Sequence, residues 1–460
     1  MRQQRTCTSQ RRALAAGCLL AGLCLSTAGA TATLKGKIIK QQLDSHRVGY
    51  TVMSVWGTHH EMGFAQGNLL ADDIVTLVAE SKKVFTDKLY PTARRLASGM
   101  VWEPAEIERE IEGMLAGVKA ARPDAAIDAI DIKVVNTIGD WFYPPACNSH
   151  SSWGSFVKSP VRSLHSRRLD TPLLLVSPSI KHHVIVARQA SDGSRVRWVN
   201  AAWPGYVTSL TGVNEYGVLV SLHDLVGEMK AALEGGHLPR FVAARQALTV
   251  VGGVPLEQQL DFVVKALAPY TIMSGGFINY YAPEGHGGVL TCLAGRSCSR
   301  VRRPMPAFHN GEVLITTNFD TDGLSAPQWG EYIDEFYQTG GPKTLAEHFN
   351  LLKHGKPFSP VVHLLSVAYR GRDDMTLWFE GVVDNNGTAG PRLELEFADL
   401  FDRSAPASAV VARSPVQLAA NLPGDEGGCA VVRGATPLAP PLAGLLLLIL
   451  IWWRRHRTPR

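Results

Sequence analysis

Cys147 lies in the run Pro144-Pro145-Ala146-Cys147-Asn148-Ser149, and twenty residues later comes Arg167-Arg168-Leu169-Asp170. Much further along is Thr316-Thr317-Asn318-Phe319-Asp320. A thiol is a strong nucleophile once a nearby base takes its proton. A guanidinium offers fixed donors, a carboxylate accepts and orients, and a side-chain amide can donate to a developing oxyanion. In this order the three segments suggest a hydrolase that cuts its own chain before Cys147 and then turns the new N-terminal cysteine on amide bonds.

Each piece has a plainer reading. A single cysteine can be a small buried hydrophobe, Arg167 and Asp170 can be a surface ion pair, and Asn318-Phe319-Asp320 can be turn chemistry. Competing motifs fail on inspection. His60-Glu61 would open a zinc His-Glu-x-x-His helix, but Phe64 holds the second histidine position. His182 and His183 point to opposite faces of a strand and make poor joint ligands. Ser155-x-x-Lys158 matches the Ser-x-x-Lys of penicillin-binding enzymes without a Lys-Thr-Gly partner. There is no Gly-x-Ser-x-Gly, no phosphate loop and no paired zinc cysteines, so no cofactor or metal is expected.

The elements that would position these residues follow from periodicity. Residues 33–55 read as a strand pair. The segment Gly57 to Gly67 opens a helix in which Thr58 and Glu61 have capping-box spacing, and apolar positions continue at helical spacing to Val84. Residues 104–121 read as an amphipathic helix with Pro104 in its first turn, and 123–135 as another. After Cys147 short β-rich runs appear at 173–176, 183–188, 195–200, 206–212 and 217–222, separated by turns. Helices at 239–249 and 255–267 follow. Strands at 276–282, 288–293, 312–317 and 374–380 come next, with helices near 328–337 and 344–352. Strands in runs and helices in runs predict an α+β fold with helices packed on stacked sheets.

The two ends read as targeting segments. Residues 1–32 carry four arginines and an almost wholly apolar stretch from Ala13 to Leu25, then Ala28-Gly29-Ala30, which is the pattern of a signal peptide. Residues 403–428 read as a linker rich in Ala, Pro, Ser and Gly. Residues 429–460 join Gly427-Gly428-Cys429 to an apolar stretch, Leu442 to Trp453, and then to Arg454-Arg455-His456-Arg457. This tail resembles bacterial C-terminal sorting signals, those of myxobacteria above all. It implies processing near Cys429 and delivery to the cell envelope or surface, with release as a second outcome. A plain tail anchor holding the chain to a membrane is the simpler alternative.

The whole chain has 46 basic and 41 acidic residues, a charge of +5. Nine of the arginines lie in the two ends, which contain no acidic residue, so the body carries 37 basic against 41 acidic residues. The basic balance therefore belongs to the targeting segments and gives no reason to expect nucleic acid as a partner. Only Cys147, Cys292 and Cys298 lie between the ends. Cys292 and Cys298 are close enough in sequence to pair, which would leave Cys147 as the odd thiol of an exported protein.

The ordered motifs resemble the cysteine branch of the N-terminal nucleophile hydrolases, in particular the penicillin acyltransferase-like peptidases and the acid ceramidase group. The likeness runs from about Val52 to Glu380 and includes Gly57-x5-Gly63-x3-Gly67, Cys147-Asn-Ser-His-Ser-Ser-Trp153-Gly154, Arg167-Arg168-Leu169-Asp170, Trp203-Pro204-Gly205 and Gly212-Val-Asn214-Glu215-Tyr-Gly217. It implies a four-layer αββα sandwich at 147–402 and an N-terminal, largely helical propeptide or alpha chain at 33–146. It also implies cleavage of the Ala146–Cys147 bond, after which the helical part is lost or stays associated. Catalysis would use Cys147 as nucleophile and its freed α-amine as base. Arg167 would hold the amine region, Asp170 would orient the amine and brace Arg167, and Asn318 would donate to the oxyanion. Asn214 and His223 are tentative pocket residues, although Asn214-Glu215-Tyr216-Gly217 is also an ordinary hairpin turn. Two departures bear on substrate: Arg168 stands where the family usually has Asn, and His223 where it often has a pocket Asn. The implied substrate is a small acylated amide or a lipid amide. A phospholipase B-like lipid hydrolase and a catalytically silent surface-anchored binding protein are the alternatives.

Overall fold

The chain begins its described part with an antiparallel pair, β1 (Gly36–Leu43) and β2 (Gly49–Gly57), as the alternation of the first strands predicts. The computed structural model describes residues 34–141, 146–170, 181–225, 234–318, 331–353, 361–382, 389–404 and 411–413. All of these belong to one unit that ends at Pro415. The segments read as a signal peptide and as a C-terminal sorting tail, the run 173–176, and Phe319 and Asp320 lie outside the described residues. No helix among the described residues is long and apolar enough to cross a membrane.

Five helices follow: α1 (His59–Leu69), α2 (Ala71–Gly99), α3 (Glu106–Ala121), α4 (Ala129–Val135) and α5 (Ile138–Trp141). Thr58 and Glu61 form the expected capping box on α1. The single helix read through Val84 is in fact two, α1 ending at Leu69 and α2 running on to Gly99 through a kink at Thr86. The helix read over 123–135 starts only at Ala129, where Asp128 and Asp131 make a second capping box. Helices α1 and α3 touch backbone to backbone. A Cβ on Gly63 or Gly67 would lie 2.0 or 2.1 Å from the carbonyl oxygens of Glu110 or Met114. One on Gly113 or Gly117 would lie equally close to those of His60 or Phe64. Glycines four apart on both helices permit this crossing.

The rest of the chain begins with the strand that carries Cys147. Its strands are β3 (Ala146–Trp153), β4 (Ser163–Asp170), β5 (His182–Ala190), β6 (Trp198–Ala202), β7 (Thr211–Asn214), β8 (Leu219–Asp224), β9 (Gly276–Tyr281), β10 (Gly288–Cys292) and β11 (Cys298–Arg302). These are followed by β12 (Val313–Thr316), β13 (Val361–Gly371), β14 (Asp374–Gly381), β15 (Arg392–Glu396) and β16 (Val411–Arg413). Helices α6 (Arg240–Thr249) and α7 (Leu256–Leu267) separate β8 from β9, and α8 (Glu331–Gln338) and α9 (Leu345–Leu351) separate β12 from β13. Within the stretch read as a linker, β16 instead adds a strand beside β15.

The fold is α+β with two sheets. A nine-stranded sheet has the order β1-β2-β5-β6-β7-β8-β9-β10-β11, and a seven-stranded one the order β12-β3-β4-β13-β14-β15-β16. Apolar side chains of both sheets meet between them, among them Val52, Ile185 and Leu219 against Leu365, Val367 and Phe379. The outer face of the larger sheet packs Val55 and Val184 against Ile111 of α3 and Leu248 of α6. The outer face of the smaller sheet packs Val313 and Ile315 against Ile333 and Tyr337 of α8, and Leu364 against Phe349 of α9. Strands β1 and β2, which precede Cys147, are integral to the larger sheet, since β2 pairs in parallel with β5 along nine residues.

Candidate active site

β3 lies between β12 and β4 in the smaller sheet, and register brings the candidate residues together. Thr316 of β12 pairs with Ser149, so continuing the antiparallel ladder by two residues puts Asn318 level with Cys147. The Cys147 backbone N–H donates to Asn318 Oδ1, and Asn318 Nδ2 donates to the Asp224 carbonyl at 2.9 Å. A donor on one side and an acceptor on the other fix which way the amide points. On the other flank Cys147 pairs with Leu169 and Ser149 with Arg167, so Cys147 and Arg167 are diagonal neighbours on one face.

Cys147 is buried, and it is the free cysteine among the described residues; Cys292 and Cys298 form a disulfide across the β10–β11 hairpin. Arg167 is wholly buried, and its guanidinium donates to the carbonyls of Leu222, at 2.7 Å, and Arg168. Burial raises the Cys147 thiol above its ordinary pKa. The charge and hydrogen bond of Arg167 work against that rise, while Asp224 and Asp170 add to it. The sulfur is therefore a thiol at neutral pH, and it needs a base to become a nucleophile.

Asp170 does not brace Arg167. Its carboxylate receives Arg168 Nε at 2.9 and 3.0 Å, and Arg168 also donates to the Leu352 carbonyl at the end of α9. Strand alternation is the cause: Cys147, Ser149 and Arg167 point between the sheets, whereas Arg168 and Asp170 point toward α9. Burial raises the Asp170 carboxyl to about 6, with Arg168 opposing.

His223 comes into the same inter-sheet layer. Its Nε2 is 2.7 Å from Ser149 Oγ, and its Nδ1 is 3.4 Å from the Thr317 carbonyl. Burial, and then Arg167, hold its pKa well below the usual value, so the ring is neutral. With the Nδ1 proton facing a carbonyl, Nε2 accepts from the Ser149 hydroxyl. Asn214 is not brought to Cys147. Its Oδ1 accepts from the N–H groups of Tyr216 and Val218 and its Nδ2 donates to the Leu248 carbonyl, the pattern of a turn residue. That turn lies at the end of β8 away from His223, about 20 Å of extended chain.

Three residues around the site were not singled out by sequence. Asp224, Arg240 and Asp140 form a charged chain behind Asn318, in which Arg240 and Asp140 are buried and Asp224 is partly exposed. Asp224 is adjacent to His223 in Ser221-Leu222-His223-Asp224, but no motif marks Arg240 or Asp140. His182 and His183 take opposite faces as expected: His182 meets Thr51 and Asp73, and His183 meets the Val382 carbonyl. Among the described residues no group of three or more His, Cys, Asp or Glu side chains is arranged to hold a metal ion.

No family model matches the chain, and no curated protein matches it. Solved structures show distant similarity, two of them as follows. One is the N-acylethanolamine-hydrolyzing acid amidase ortholog of Caenorhabditis elegans, at 15% identity and a TM-score of 0.32, over 48% of this chain and 92% of that one. The other is a mutant conjugated bile acid hydrolase from Clostridium perfringens, at 8% identity and a TM-score of 0.34, over 58% of this chain and 96% of that one.

Proposed function

We propose that the chain is an exported, self-processing amidohydrolase or acyltransferase of the cysteine N-terminal nucleophile type, acting on a non-peptide amide. The observation that carries this reading is the surroundings of Cys147: its backbone N–H lies on Asn318 Oδ1 and its sulfur beside the Arg167 guanidinium.

That geometry supports self-cleavage before Cys147. The thiol passes its proton to the scissile amide nitrogen, and the sulfur attacks the Ala146 carbonyl carbon. The Ala146–Cys147 C–N bond breaks as the nitrogen takes that proton, leaving a thioester and a free α-amine. Water hydrolyses the thioester to the Ala146 carboxylate and regenerates the thiol. The amine has a reference pKa of roughly 7.7–8.0, so near neutral pH it can take the thiol proton in later turnovers. Asn318 Oδ1 then receives one amine N–H and leaves the lone pair for that proton. One hydrogen of Asn318 Nδ2 remains for the oxyanion, a contact worth about 3 kcal/mol in a dry site. Arg167 offsets the charge of the thiolate.

A substrate acyl group passes from its amide to the Cys147 sulfur, and from there to water or an amine. The segment before Cys147 stays with the enzyme after the cut. It supplies β1 and β2 to the larger sheet, and Glu110 on α3 sits buried between Arg188 and Arg245 at 2.9 and 2.6 Å. Export rests on residues 1–32 and surface delivery on residues 429–460.

The test is thioester trapping. Purified protein is mixed with N-acyl p-nitroanilides of several chain lengths, quenched in acid, and analysed by mass spectrometry. The expected result is an acyl adduct on the Cys147 peptide and no p-nitroaniline release by Cys147→Ala. Release that persists in Cys147→Ala would overturn the reading.

A further inference from the structure

We propose that Arg240 is a positioning residue for the Cys147 site, holding Asn318 on the nucleophile through the His223–Asp224 peptide, with Asp140 as its anchor. This rests on the reading of Cys147 as nucleophile.

Arg240 is the first residue of α6 and is buried. No side chain of its own segment caps that helix. The cap comes instead from Asp140 on α5, whose Oδ2 accepts the Arg240 N–H at 3.1 Å while its Oδ1 accepts Ser274 Oγ at 2.5 Å. A carboxylate at a helix N-terminus satisfies an orphan donor and meets the positive end of the dipole. The Arg240 guanidinium then reaches across to β8. Its Nη1 donates to the His223 carbonyl at 2.9 Å and to the Gly275 carbonyl at 2.8 Å, and its Nη2 donates to the Asp224 carboxylate.

The grip is bidentate on one peptide, taking the carbonyl before Asp224 and the Asp224 side chain. The Asp224 carbonyl is the atom that receives Asn318 Nδ2, and Asn318 Oδ1 receives the Cys147 N–H. Asn318 sits beyond the last residue of β12, so its ladder does not fix it. What holds its amide is the Asp224 carbonyl, and Asp224 is the last residue of the β8–β9 ladder, where Arg240 fixes its side chain and the carbonyl before it. Gly276 makes the arrangement possible, because a Cβ there would lie 1.5 Å from Arg240 Nη1. The charge matters as well as the reach. Asp224 raises the pKa of the Cys147 thiol, and Arg240 is the cation paired with Asp224. Arg167 lies beside the thiol, and Asp170 acts on it by charge from the opposite face of β4, in the wild type and in the variants below alike.

The experiment follows the break before Cys147 in full-length chain made by cell-free translation, as a function of time and pH, per folded protein. Arg240→Gln is expected to slow the break about a hundredfold, the scale of a small misplacement of a reacting group. It should also raise the pH of half-maximal rate by about one unit, because Asp224 then faces the thiol uncompensated. Asp224→Asn added to Arg240→Gln should return that midpoint to the wild-type value, which a merely structural ion pair would not do. Glu110→Gln disturbs a buried charge cluster with no link to Asn318, and should lower stability while leaving the rate of the folded protein unchanged. If Arg240→Gln does not fold, the isosteric Asp140→Asn decides, with about a tenfold loss expected. A wild-type rate and midpoint in the folded Arg240→Gln or Asp140→Asn protein would overturn the proposal, as would an equal rate loss in Glu110→Gln. A wild type that never breaks would overturn the reading of Cys147 itself.

Discussion

Cys147 and Arg167 lie diagonally across the β3–β4 pair on the face between the sheets, whereas Asp170 lies on the opposite face with Arg168. The relationship separates two residues that the spacing Arg-x-x-Asp joins. It assigns different consequences to their loss.

Arg167→Ala removes the cation beside the sulfur. The expected effect is a loss on the order of a hundredfold in the rate of the break before Cys147, since donors aimed at developing charge are worth that much in a dry site. Arg167→Lys keeps the charge without the fork and should fall between. Time courses followed by mass spectrometry check both.

Asp170→Asn takes a carboxylate away from buried Arg168. Breaking a buried pair in this way costs about 3–5 kcal/mol. The expected outcome is a large drop in the urea midpoint, with the break before Cys147 retained in whatever protein folds. Loss of amide turnover at unchanged stability, with the break retained, would instead give Asp170 the amine-orienting role that its sequence context implies.

Gly63→Ala and Gly117→Ala each drive a methyl group onto a carbonyl of the facing helix. Overpacking of this kind costs about 1–3 kcal/mol. Each variant should lose stability in urea unfolding, and the pair together should prevent α1 from docking on α3.

Stability should fall as the solution is acidified from pH 7 to pH 5. Burial holds His150 and His165 at about 3 and His183 at about 4, and holds His223, His348 and His363 well below 6.5. The unfolded chain takes up protons on these rings below about pH 6.5, whereas the folded chain does so only near its lowered values. Their contribution is complete above the unfolded value and is lost as the pH falls, by at most about 2 kcal/mol per ring at pH 5. Asp140 and Asp170, both raised to about 6 by burial, act the other way, being most stabilising below about pH 4 and losing that contribution as the pH rises through 6. Six rings outweigh two carboxyls, so the net slope is positive. Urea midpoints at pH 7 and pH 5 test this.

Much of the local structure was legible in the sequence. The Thr58–Glu61 box starts α1, and α6 and α7 begin and end within a residue or two of the expected positions, because capping and apolar period are local. Cys147 as the odd thiol was legible from cysteine count. What was not legible depends on pairing. β13 was missed because Val361 to Tyr369 is nearly all buried and shows no alternation, as a central strand covered on both faces must. The Gly113–Gly117 spacing repeats that of Gly63–Gly67, but only the crossing of α1 and α3 shows why both are needed. The side of the sheet taken by Asp170 follows from strand parity and was readable once 163–170 is a strand. Arg240 is a lone arginine opening a helix, and nothing in the sequence ties it to a residue nearly eighty positions away.

The most direct measurement is the intact mass and N-terminal sequence of the purified protein. The account predicts a fragment that starts at Cys147, held to the preceding chain until denaturant separates them, and a single unbroken chain for Cys147→Ala. An unbroken Ala146–Cys147 bond in wild-type protein that turns over amides would contradict it.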